Sequence, residues 1–546
     1  MKPGKVRIGV LTDSLAMPAW ACGMLEGAAA TGNAEIALAV IVGDDEIREA
    51  ETSLSRRVYR AIADWSNRPM PAALAPRDAS SLLAGVPMLR VQPERRQDGD
   101  WISDADVEAI CGYALDTLVW VGDGRLRGDF GRAAKFGVWV CCHETAPDAG
   151  GAVALSSLRI LGGDGLPGPV IIESASRLVP RAFDLGRNAW TWKSASFLPR
   201  ALAQLTALGE QDFFEKLARN SRCATGAAER RQLSSTEPLG RAMGRWLCDA
   251  AQTLRERMVG EQWIIAAFLW DAGRAGPRMV PLIPPRGTDW ADPCVIQSGG
   301  KYHIFFEELV RAERRGHISV VVMDDQGRCQ PPVRVLERPY HLSYPFVFEW
   351  QGGYYMIPET AQNRAIEVYR CVEFPARWEF HKTLMAGVTA VDSTLFCDGA
   401  KWWLFANLRE REGASLHDEL FLFSADEPLS DRWQPHPLNP VVSDVRRARP
   451  AGRIFRRDGH LYRPSQDCSR RYGGALNINR VEALNGNDYR ESCVTHIEPA
   501  SGTRIRGIHT LSQAGPLVAV DLLVPLSRRA GDEDSWRAIG MAMKPD

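Results

Sequence analysis

The stretch Thr288-Asp-Trp-Ala-Asp-Pro-Cys-Val-Ile-Gln-Ser-Gly-Gly-Lys-Tyr-His-Ile-Phe-Phe-Glu-Glu-Leu309 predicts two short strands joined by a Gly-Gly hairpin. An acid–proline pair opens the first strand, and two neighbouring carboxylates close the second. Four variants of the unit follow, so that first strands begin at Ala291, Tyr344, Val391, Ala448 and Gly507. Because intervals of about 50 residues suit one four-stranded blade, the repeat predicts a five-bladed β-propeller over residues 261–546.

Polar residues occupy the same two corners of each unit, at the start of the first strand and the end of the second. In a propeller the first strand of each blade lines the axis, and these two corners share one mouth of the ring. Polar side chains from different blades therefore converge, which predicts one functional centre. The predicted corner residues are Asp292, Glu307, Glu308, Glu359, Asp392, Asn407, Arg449, Arg453, Gln466, Asp467 and His509.

The first third of the chain alternates buried strands with helical stretches. Strands are predicted over residues 6–11, 36–42, 117–121 and 137–142, which indicates a Rossmann-like α/β domain over residues 1–186. Ligands of such a sheet bind at the carboxyl ends of its strands, but no GxGxxG follows the first strand, so a dinucleotide is not predicted. Residues 187–260 are predicted as a helical connector with an amphipathic helix over 240–258.

Bulk composition limits the possible partners and compartments. Lys and Arg (66) nearly balance Asp and Glu (67), so no global field favours nucleic acid or an anionic membrane. We expect no signal peptide and no transmembrane segment, because no apolar run has the required length. The twelve Cys form no CxxC pairs, which favours a reducing, cytoplasmic location over a disulfide framework or a zinc site.

Residues 5–186 resemble the N-terminal domain of formyltransferases, with an anchor at Gly131-Arg-Ala-Ala-Lys-Phe-Gly-Val-Trp-Val-Cys-Cys-His143. The resemblance implies formyl-tetrahydrofolate as cofactor and an Asn-x-His catalytic pair. The His of that pair falls on His143, whereas Cys141 stands at the Asn position, and the later Asp has no clean match. Since the Asn holds the oxyanion and the Asp orients the His, we expect a degraded formyl site.

The propeller resembles the five-bladed furanosidase-type glycosidases, namely arabinanases, β-xylosidases and invertases. Asp292-Pro293 matches the base or nucleophile of that group, and Asp392 matches the residue that positions substrate and tunes the acid. The acid of the group, a Glu that opens the fourth blade, has no match, because this blade opens with Arg449-Pro-Ala-Gly452. Glycosidic cleavage needs a second carboxyl group with the opposite protonation role.

Two interpretations of the missing Glu at the start of the fourth blade stay open. Glu359, or the pair Glu307 and Glu308, would supply the acid from another corner. Alternatively, Arg449 and Arg453 mark an anionic ligand such as a phosphorylated or acidic sugar, since Arg binds phosphate and carboxylate groups in a bidentate manner.

Residues 285–525 also resemble the N-terminal propeller domain of the plant glucosamine inositolphosphorylceramide transferases. The resemblance rests on Glu337-Arg-Pro-Tyr-His-Leu-Ser-Tyr-Pro-Phe-Val-Phe-Glu-Trp350 and Pro437-Leu-Asn-Pro-Val-Val-Ser-Asp-Val-Arg-Arg-Ala-Arg-Pro-Ala-Gly452. Bacterial proteins that join a formyltransferase-like domain to this propeller have a similar layout. The resemblance implies a glycan, nucleotide-sugar or glycolipid ligand. Transfer chemistry in the plant protein belongs to a separate C-terminal domain, so it is not carried over.

Three functions follow from these patterns. The leading hypothesis is a carbohydrate-active enzyme that hydrolyses or transfers glycosidic bonds, with Asp292, Asp392 and Glu359 catalytic and the other corner residues binding substrate. The second is formyl or acyl transfer to an amino sugar by the N-terminal domain, with formyl-tetrahydrofolate as cofactor. The third is a non-catalytic glycan-binding protein of a polysaccharide assembly system. No cofactor or metal is predicted for the propeller.

Overall fold

The computed structural model describes residues 5–43, 73–96, 99–122, 126–148, 151–162, 166–178, 185–223, 231–232, 260–270, 276–411, 414–499, 504–526 and 539–541. The chain divides into two compact units. The first comprises Met1–Leu247 with Arg411–Ala414, and the second comprises Cys248–Glu410 with Ser415–Asp546. The helix predicted over 240–258 lies outside the described residues.

The first unit is built on a mixed eight-stranded sheet. The strands of the unit are β1 (Val6–Thr12), β2 (Ala16–Pro18), β3 (Ala34–Val42), β4 (Pro76–Asp78), β5 (Met88–Val91), β6 (Glu94–Arg96), β7 (Gly99–Trp101), β8 (Thr117–Trp120), β9 (Leu126–Arg127), β10 (Val138–Asp148), β11 (Gly151–Leu161), β12 (Pro167–Arg177) and β13 (Arg231–Gln232). The sheet order is β12-β11-β10-β8-β1-β3-β5, with β13 against β10. Strands β10, β8, β1, β3 and β5 run parallel, whereas β10, β11 and β12 are antiparallel.

The four predicted strands of this unit are confirmed as β1, β3, β8 and β10. Their apolar, β-branched runs are buried on both faces, as a parallel strand between helices requires. Strand β10 is longer than predicted: it continues past residue 142 to Asp148 and pairs with β11, so the segment after His143 is strand and not a loop. The buried side chains of Val153 and Leu155 on β11 explain this pairing, because they must be covered within a sheet.

The helices of the first unit are α1 (Ala19–Ala30), α2 (Asp104–Cys111), α3 (Leu185–Ser194), α4 (Phe197–Leu208) and α5 (Glu210–Cys223), with a 3₁₀ turn at Phe130–Ala133. Helix α2 begins after Ser103, whose hydroxyl accepts the Asp106 N–H at 3.2 Å and so caps the first turn. Side chains of α1 and α4 pack with β1 in one core. Within the described segments, no helix is both long enough and apolar enough to span a membrane.

The second unit consists of five four-stranded antiparallel sheets. Its strands are β14 (Glu261–Leu269), β15 (Arg278–Leu282), β16 (Thr288–Ser298), β17 (Lys301–Val310), β18 (Arg315–Met323), β19 (Val333–Leu336), β20 (Ser343–Trp350), β21 (Gly353–Glu359), β22 (Ala365–Glu373), β23 (Arg377–Ala386), β24 (Ala390–Cys397), β25 (Trp402–Leu408), β26 (Leu420–Ala425), β27 (Gln434–Pro435), β28 (Phe455–Arg457), β29 (His460–Asp467), β30 (Ala475–Leu484), β31 (Tyr489–Ile497), β32 (Leu511–Ala514) and β33 (Leu517–Pro525), with a 3₁₀ turn at Ala361–Asn363. Four sheets use consecutive strands, namely β16–β19, β20–β23, β24–β27 and β28–β31. The predicted five-bladed propeller is confirmed.

The fifth blade closes the ring with strands from both ends of the repeat. Its order is β15-β14-β33-β32, and β14 pairs with β33 from Glu261↔Pro525 to Leu269↔Leu517. Strand β14 therefore lies inside the fifth blade, between β15 and β33, and not at an edge. Because every residue of β14 is paired with β33, closure is continuous along the whole strand.

Candidate functional site at the propeller mouth

Three blades open with the same irregularity of the backbone. Asp292, Tyr344 and Asp392 lie at register shifts between the first and second strands, and their φ angles are 54°, 43° and 53°. A left-handed conformation costs a non-glycine residue about 1–2 kcal/mol, and a bulge redirects the side chain that it carries. Arg449 and His509 stand at the starts of the fourth and fifth blades. The same unfavourable φ recurs in three blades, which indicates that the structure requires these three side chains to point in a fixed direction.

Asp292 is a buried carboxylate with both oxygens engaged. Its Oδ1 accepts the Thr510 hydroxyl at 2.9 Å and lies 3.1 Å from His509 Nε2, while its Oδ2 accepts the Tyr344 N–H at 3.2 Å. Burial raises the pKa of Asp292, but the charge of His509 and the hydrogen bonds from His509 and Thr510 outweigh burial and hold the pKa below its usual value. Asp292 is therefore ionised at neutral pH.

His509 is held between two carboxylates. Its Nδ1 lies 2.9 Å from Asp521 Oδ2, on the side of the ring opposite Asp292. Burial favours the neutral imidazole, yet the charges of Asp521 and Asp292 raise the pKa of His509 to about 10. This imidazolium supplies the cation that keeps Asp292 ionised.

Asp392 and Arg449 form a second buried ion pair. Arg449 donates from Nε to Asp392 Oδ2 at 2.5 Å and from Nη2 to Oδ1 at 3.2 Å, and Gln466 Nε2 donates to Oδ2 at 3.0 Å. Arg449 Nη1 also donates to His417 Nδ1 at 2.9 Å. Burial raises the pKa of Asp392 even though Arg449 opposes the shift. Each of the three guanidinium nitrogens of Arg449 therefore donates to a protein group.

Glu307 and Glu359 are the two carboxyls of the centre with no cation within hydrogen-bonding distance. Glu359 Oε2 lies 3.9 Å from Arg449 Nη2, and Glu307 Oε1 lies 3.2 Å from His341 Nε2. Burial, and then the negative charge of Asp392, raise the pKa of Glu359 to about 8. Burial and the charges of Asp292 and Glu359 raise the pKa of Glu307 well above its ordinary value. Glu359 therefore carries a proton at neutral pH, and the pKa of Glu307 shifts in the same direction.

Four predicted corner residues do not join this cluster. Glu308 points to the opposite face of β17, where it accepts hydrogen bonds from His317, Ser319 and Trp290. The other three hold nearby backbone: Arg453 donates to the Val347 carbonyl, Asn407 Nδ2 donates to the Leu416 carbonyl at 3.1 Å, and Asp467 Oδ1 accepts the Ser469 N–H at 2.9 Å. The seven that do converge are Asp292, Glu307, Glu359, Asp392, Arg449, Gln466 and His509.

Sequence reasoning missed several members of the centre. Asp521 accepts the N–H groups of Asp292 at 2.9 Å and of Thr510 at 2.9 Å, and it balances His509. Asp521 lies within β33, the second strand from the axis in the fifth blade, and its acidic side chain in an otherwise apolar run was the available signal. Tyr344 was visible as the equivalent of Asp292, and its hydroxyl accepts the Gly452 N–H at 2.7 Å.

A narrow cavity lies between the first strands, lined by Asp292, Tyr344, Phe346, Arg453 and Thr510 among others. Its volume of about 10 Å³ is close to the roughly 10–15 Å³ that one water molecule needs. This cavity therefore has room for about one water molecule and not for a sugar ring.

Asp292, His509 and Asp521 place one ligand atom each within 4.8 Å of one another. The separation would suit a metal ion, but the donor set does not. Asp521 already accepts three backbone N–H groups, and the two imidazole nitrogens lie 3.1 Å from Asp292 and 2.9 Å from Asp521. These contacts are those of an internal ion pair, which this triad fits better than a metal site.

The predicted formyl site lies in the first unit. Cys141 and His143 share one face of β10, since they are two residues apart on a strand. His143 Nε2 lies 3.0 Å from Ser194 Oγ, and its ring meets Trp20 and Trp190 edge-on with centroids 6.0 Å away. Burial raises the pKa of the Cys141 thiol, which stays neutral. The surrounding sheet is mixed, and a formyltransferase-type domain stays a prediction.

Comparison with known proteins places the similarity in the propeller. Residues 287–505 match the family model described as "Glucosamine inositolphosphorylceramide transferase 1, N-terminal". The glucosamine inositolphosphorylceramide transferases 1 of Oryza sativa subsp. japonica and Arabidopsis thaliana are 35% and 34% identical over 204 residues, or 37% of this chain. The chain covers 27% and 26% of these relatives, so it spans about a quarter of their length. The predicted resemblance of the propeller to this family is confirmed.

Solved structures that are similar to this chain include a family 117 glycoside hydrolase of Zobellia galactanivorans. Another is the catalytic domain of a family 62 α-L-arabinofuranosidase of Coprinopsis cinerea. The first has 13% identity and a TM-score of 0.33, with 50% of this chain and 93% of that chain covered. The second has 15% identity and a TM-score of 0.34, with 48% and 99% covered. At these TM-scores the similarity carries no conclusion about chemistry.

Proposed function

We propose that the propeller cleaves or transfers glycosidic bonds of a glycan or glycoconjugate at the mouth of its ring. The observation that carries the proposal is the opposed protonation of neighbouring carboxyls. Asp292 is held ionised by His509 and Thr510, whereas burial and nearby negative charges keep Glu359 protonated. Glycosidic cleavage uses this combination, a carboxylate and a carboxylic acid with separate roles.

The roles follow from these protonation states. Glu359 donates its proton to the glycosidic oxygen as the bond to the leaving group breaks. Asp292 either accepts a proton from the attacking water or acceptor hydroxyl, or attacks the anomeric carbon itself. Asp392 lies beside Glu359 and is clamped by Arg449, so its charge raises the pKa of the acid. Glu307, whose pKa is also raised by burial and by nearby negative charge, is the second candidate to donate a hydrogen bond or a proton.

The contacts of the two arginines argue against an acidic or phosphorylated sugar. The Arg449 guanidinium donates hydrogen bonds to Asp392 and His417, and Arg453 donates to the Val347 carbonyl. The buried groups Asp292, Asp392 and Asp521 outnumber the cations Arg449 and His509. A neutral sugar or one that bears an amine therefore suits this centre better than an anionic one.

A second candidate, glycan binding without catalysis, is favoured by the engagement of Asp292. Both of its oxygens accept hydrogen bonds or face His509, and its side chain is almost fully buried. A nucleophile must reach the anomeric carbon, so this arrangement would serve a rigid binding floor equally well. Turnover separates the two candidates.

The test is sugar release or transfer by the full-length protein on a panel of glycans, glycolipids and aryl glycosides. We expect Asp292→Asn and Glu359→Gln each to lower turnover by at least about 100-fold, the usual scale for loss of an acid–base group. Glu308→Gln is the matched control. Glu308 lies in the same blade as Asp292, but its carboxylate faces away from the cluster and binds His317. Full turnover in both Asp292→Asn and Glu359→Gln, with folding intact, would contradict the proposal.

A further inference from the structure

Tyr472 lies at the mouth of the ring, over the charged cluster. Its ring centroid is 5.1 Å from that of His509 and 5.6 Å from that of His417, and the Arg449 guanidinium carbon lies 4.9 Å from the ring centroid. The side chains beneath it are buried, whereas Tyr472 is 36% exposed. Part of the Tyr472 side chain is therefore accessible to solvent beside the cluster.

The segment that carries Tyr472, residues 468–474, is fixed at both ends. Cys468 N donates to the Val445 carbonyl at 3.0 Å, and the Gly473 carbonyl accepts the Ile508 N–H at 2.9 Å. Arg471 pairs with Glu261 at 2.8 Å, beside the start of the closing strand β14. A segment held this firmly presents the ring in one orientation.

Gly473 allows this close approach. Its φ is +63°, and a Cβ at this position would lie 2.9 Å from Trp263 Cη2 and 3.0 Å from His509 Cβ. Trp263 in turn packs on His509 with ring centroids 4.3 Å apart. Only a residue without a side chain lets the backbone pass Trp263 and His509 at this distance.

We infer that Tyr472 is the stacking platform for a sugar ring, and that it sets the orientation in which the sugar meets Glu359 and Glu307. A sugar ring presents an apolar C–H face that packs on an aromatic ring, while its hydroxyl edge reaches polar groups. The inference rests on the proposed function for the position of the site, and it adds a positioning residue and a substrate class. That class is a neutral or amine-bearing sugar with one open C–H face.

A planar nucleobase would also stack on Tyr472, so a nucleotide is the competing occupant. The cluster beneath argues against it, because a phosphate would face the carboxylates of Asp292 and Asp392. Both cations of the cluster, Arg449 and His509, are already paired with carboxylates. The stacking ring is therefore placed above an acidic floor that repels phosphate.

The test measures binding to the full-length protein of an immobilised panel of neutral, amine-bearing and uronic mono- and disaccharides, with uridine 5′-diphosphate as the nucleotide probe. We expect at least one neutral or amine-bearing sugar to bind, Tyr472→Phe to bind it as the unaltered protein does, and Tyr472→Ala to lose about tenfold or more in affinity. Phe380→Ala is the matched control, because Phe380 is an exposed aromatic residue (52%) on the outer strand β23. A stacking role also predicts that Tyr472→Ala raises KM more than it lowers kcat.

Three results would overturn the inference: equal sugar binding by Tyr472→Ala and Tyr472→Phe, binding of the nucleotide in place of any sugar, or no sugar binding at all. The proposed function fails separately. If sugars bind through Tyr472 and are never turned over, the stacking role of Tyr472 is supported and the proposed glycosidic-bond chemistry is wrong. If Glu359→Gln abolishes turnover while Tyr472→Ala leaves KM unchanged, the proposed chemistry is supported and the stacking role of Tyr472 is wrong.

Discussion

At the scale of single residues, the centre is governed by a shortage of cations. Asp292, Asp392 and Asp521 share the charges of His509 and Arg449. Arg449 lies 3.9 Å from Glu359, but its charge does not outweigh burial and the negative charge of Asp392, which raise the pKa of Glu359. Burial makes an uncompensated carboxylate costly, and a proton is the simplest remedy. The acid of the proposed reaction is thus a consequence of the ion pairs around it.

This distribution of protons predicts how stability depends on pH. Glu359 and His509 have folded-state pKa values of about 8 and about 10, above the roughly 4.3 and 6.5 of unfolded chains. Between each pair of values the folded protein binds more protons, so stability is full below the unfolded pKa and is lost as pH rises through the folded pKa. We expect the Tm of the propeller transition to fall between about pH 6 and about pH 10.

Calorimetry across this range checks the expectation. Glu359→Gln removes one titrating group and should flatten the part of the curve below about pH 8, while leaving the part due to His509. A propeller Tm that rises from neutral to alkaline pH would show that these groups are not protonated in the folded state.

At the scale of structural elements, the site depends on backbone that departs from regular strand geometry. The bulges that carry Asp292, Tyr344 and Asp392 turn three side chains toward the axis. In the fourth blade Gly452 takes a φ of +127°, and a Cβ there would lie 1.8 Å from the Leu511 carbonyl oxygen. This close approach joins the fourth and fifth blades directly beside the cavity.

Gly452→Ala should therefore destabilise the propeller by about 2–4 kcal/mol, because the added methyl group collides with backbone and the φ is unfavourable for alanine. Gly486→Ala is the control, since no atom lies within 4 Å of a Cβ built there. Denaturant unfolding of the two variants provides the measurement. Equal stability of Gly452→Ala and Gly486→Ala would mean that the blades do not approach this closely.

The same elements show what sequence can and cannot predict. Strand alternation and the Gly-Gly hairpins predicted all five blades, and the repeated corner brought Asp292, Asp392 and His509 to one place. Alternation along β17 also implies that only one of Glu307 and Glu308 can face the centre, a signal that the sequence reasoning did not use. Tyr472 could not be predicted, because its segment has no periodicity and is placed by contacts with β14, over 200 residues earlier.

At the scale of the whole molecule, circular closure explains why distant residues share one site. Strand β14 pairs along its full length with β33, which brings Asp521 and His509 beside Asp292 of the first blade. The pKa values of the centre are therefore a property of the closed ring and not of any single blade. Asp292 of the first blade pairs with His509 of the fifth, and Asp392 of the third blade pairs with Arg449 of the fourth.

The most direct test of the account is carboxyl-detected NMR titration of the intact protein labelled with ¹³C at Asp and Glu side chains, with Asp292→Asn and Glu359→Gln used to assign the two signals. The account predicts that Glu359 stays protonated at neutral pH and titrates near pH 8, while Asp292 stays ionised to a pH below its ordinary pKa. Titration of Glu359 in the ordinary range of exposed glutamates, together with Asp292, would contradict it.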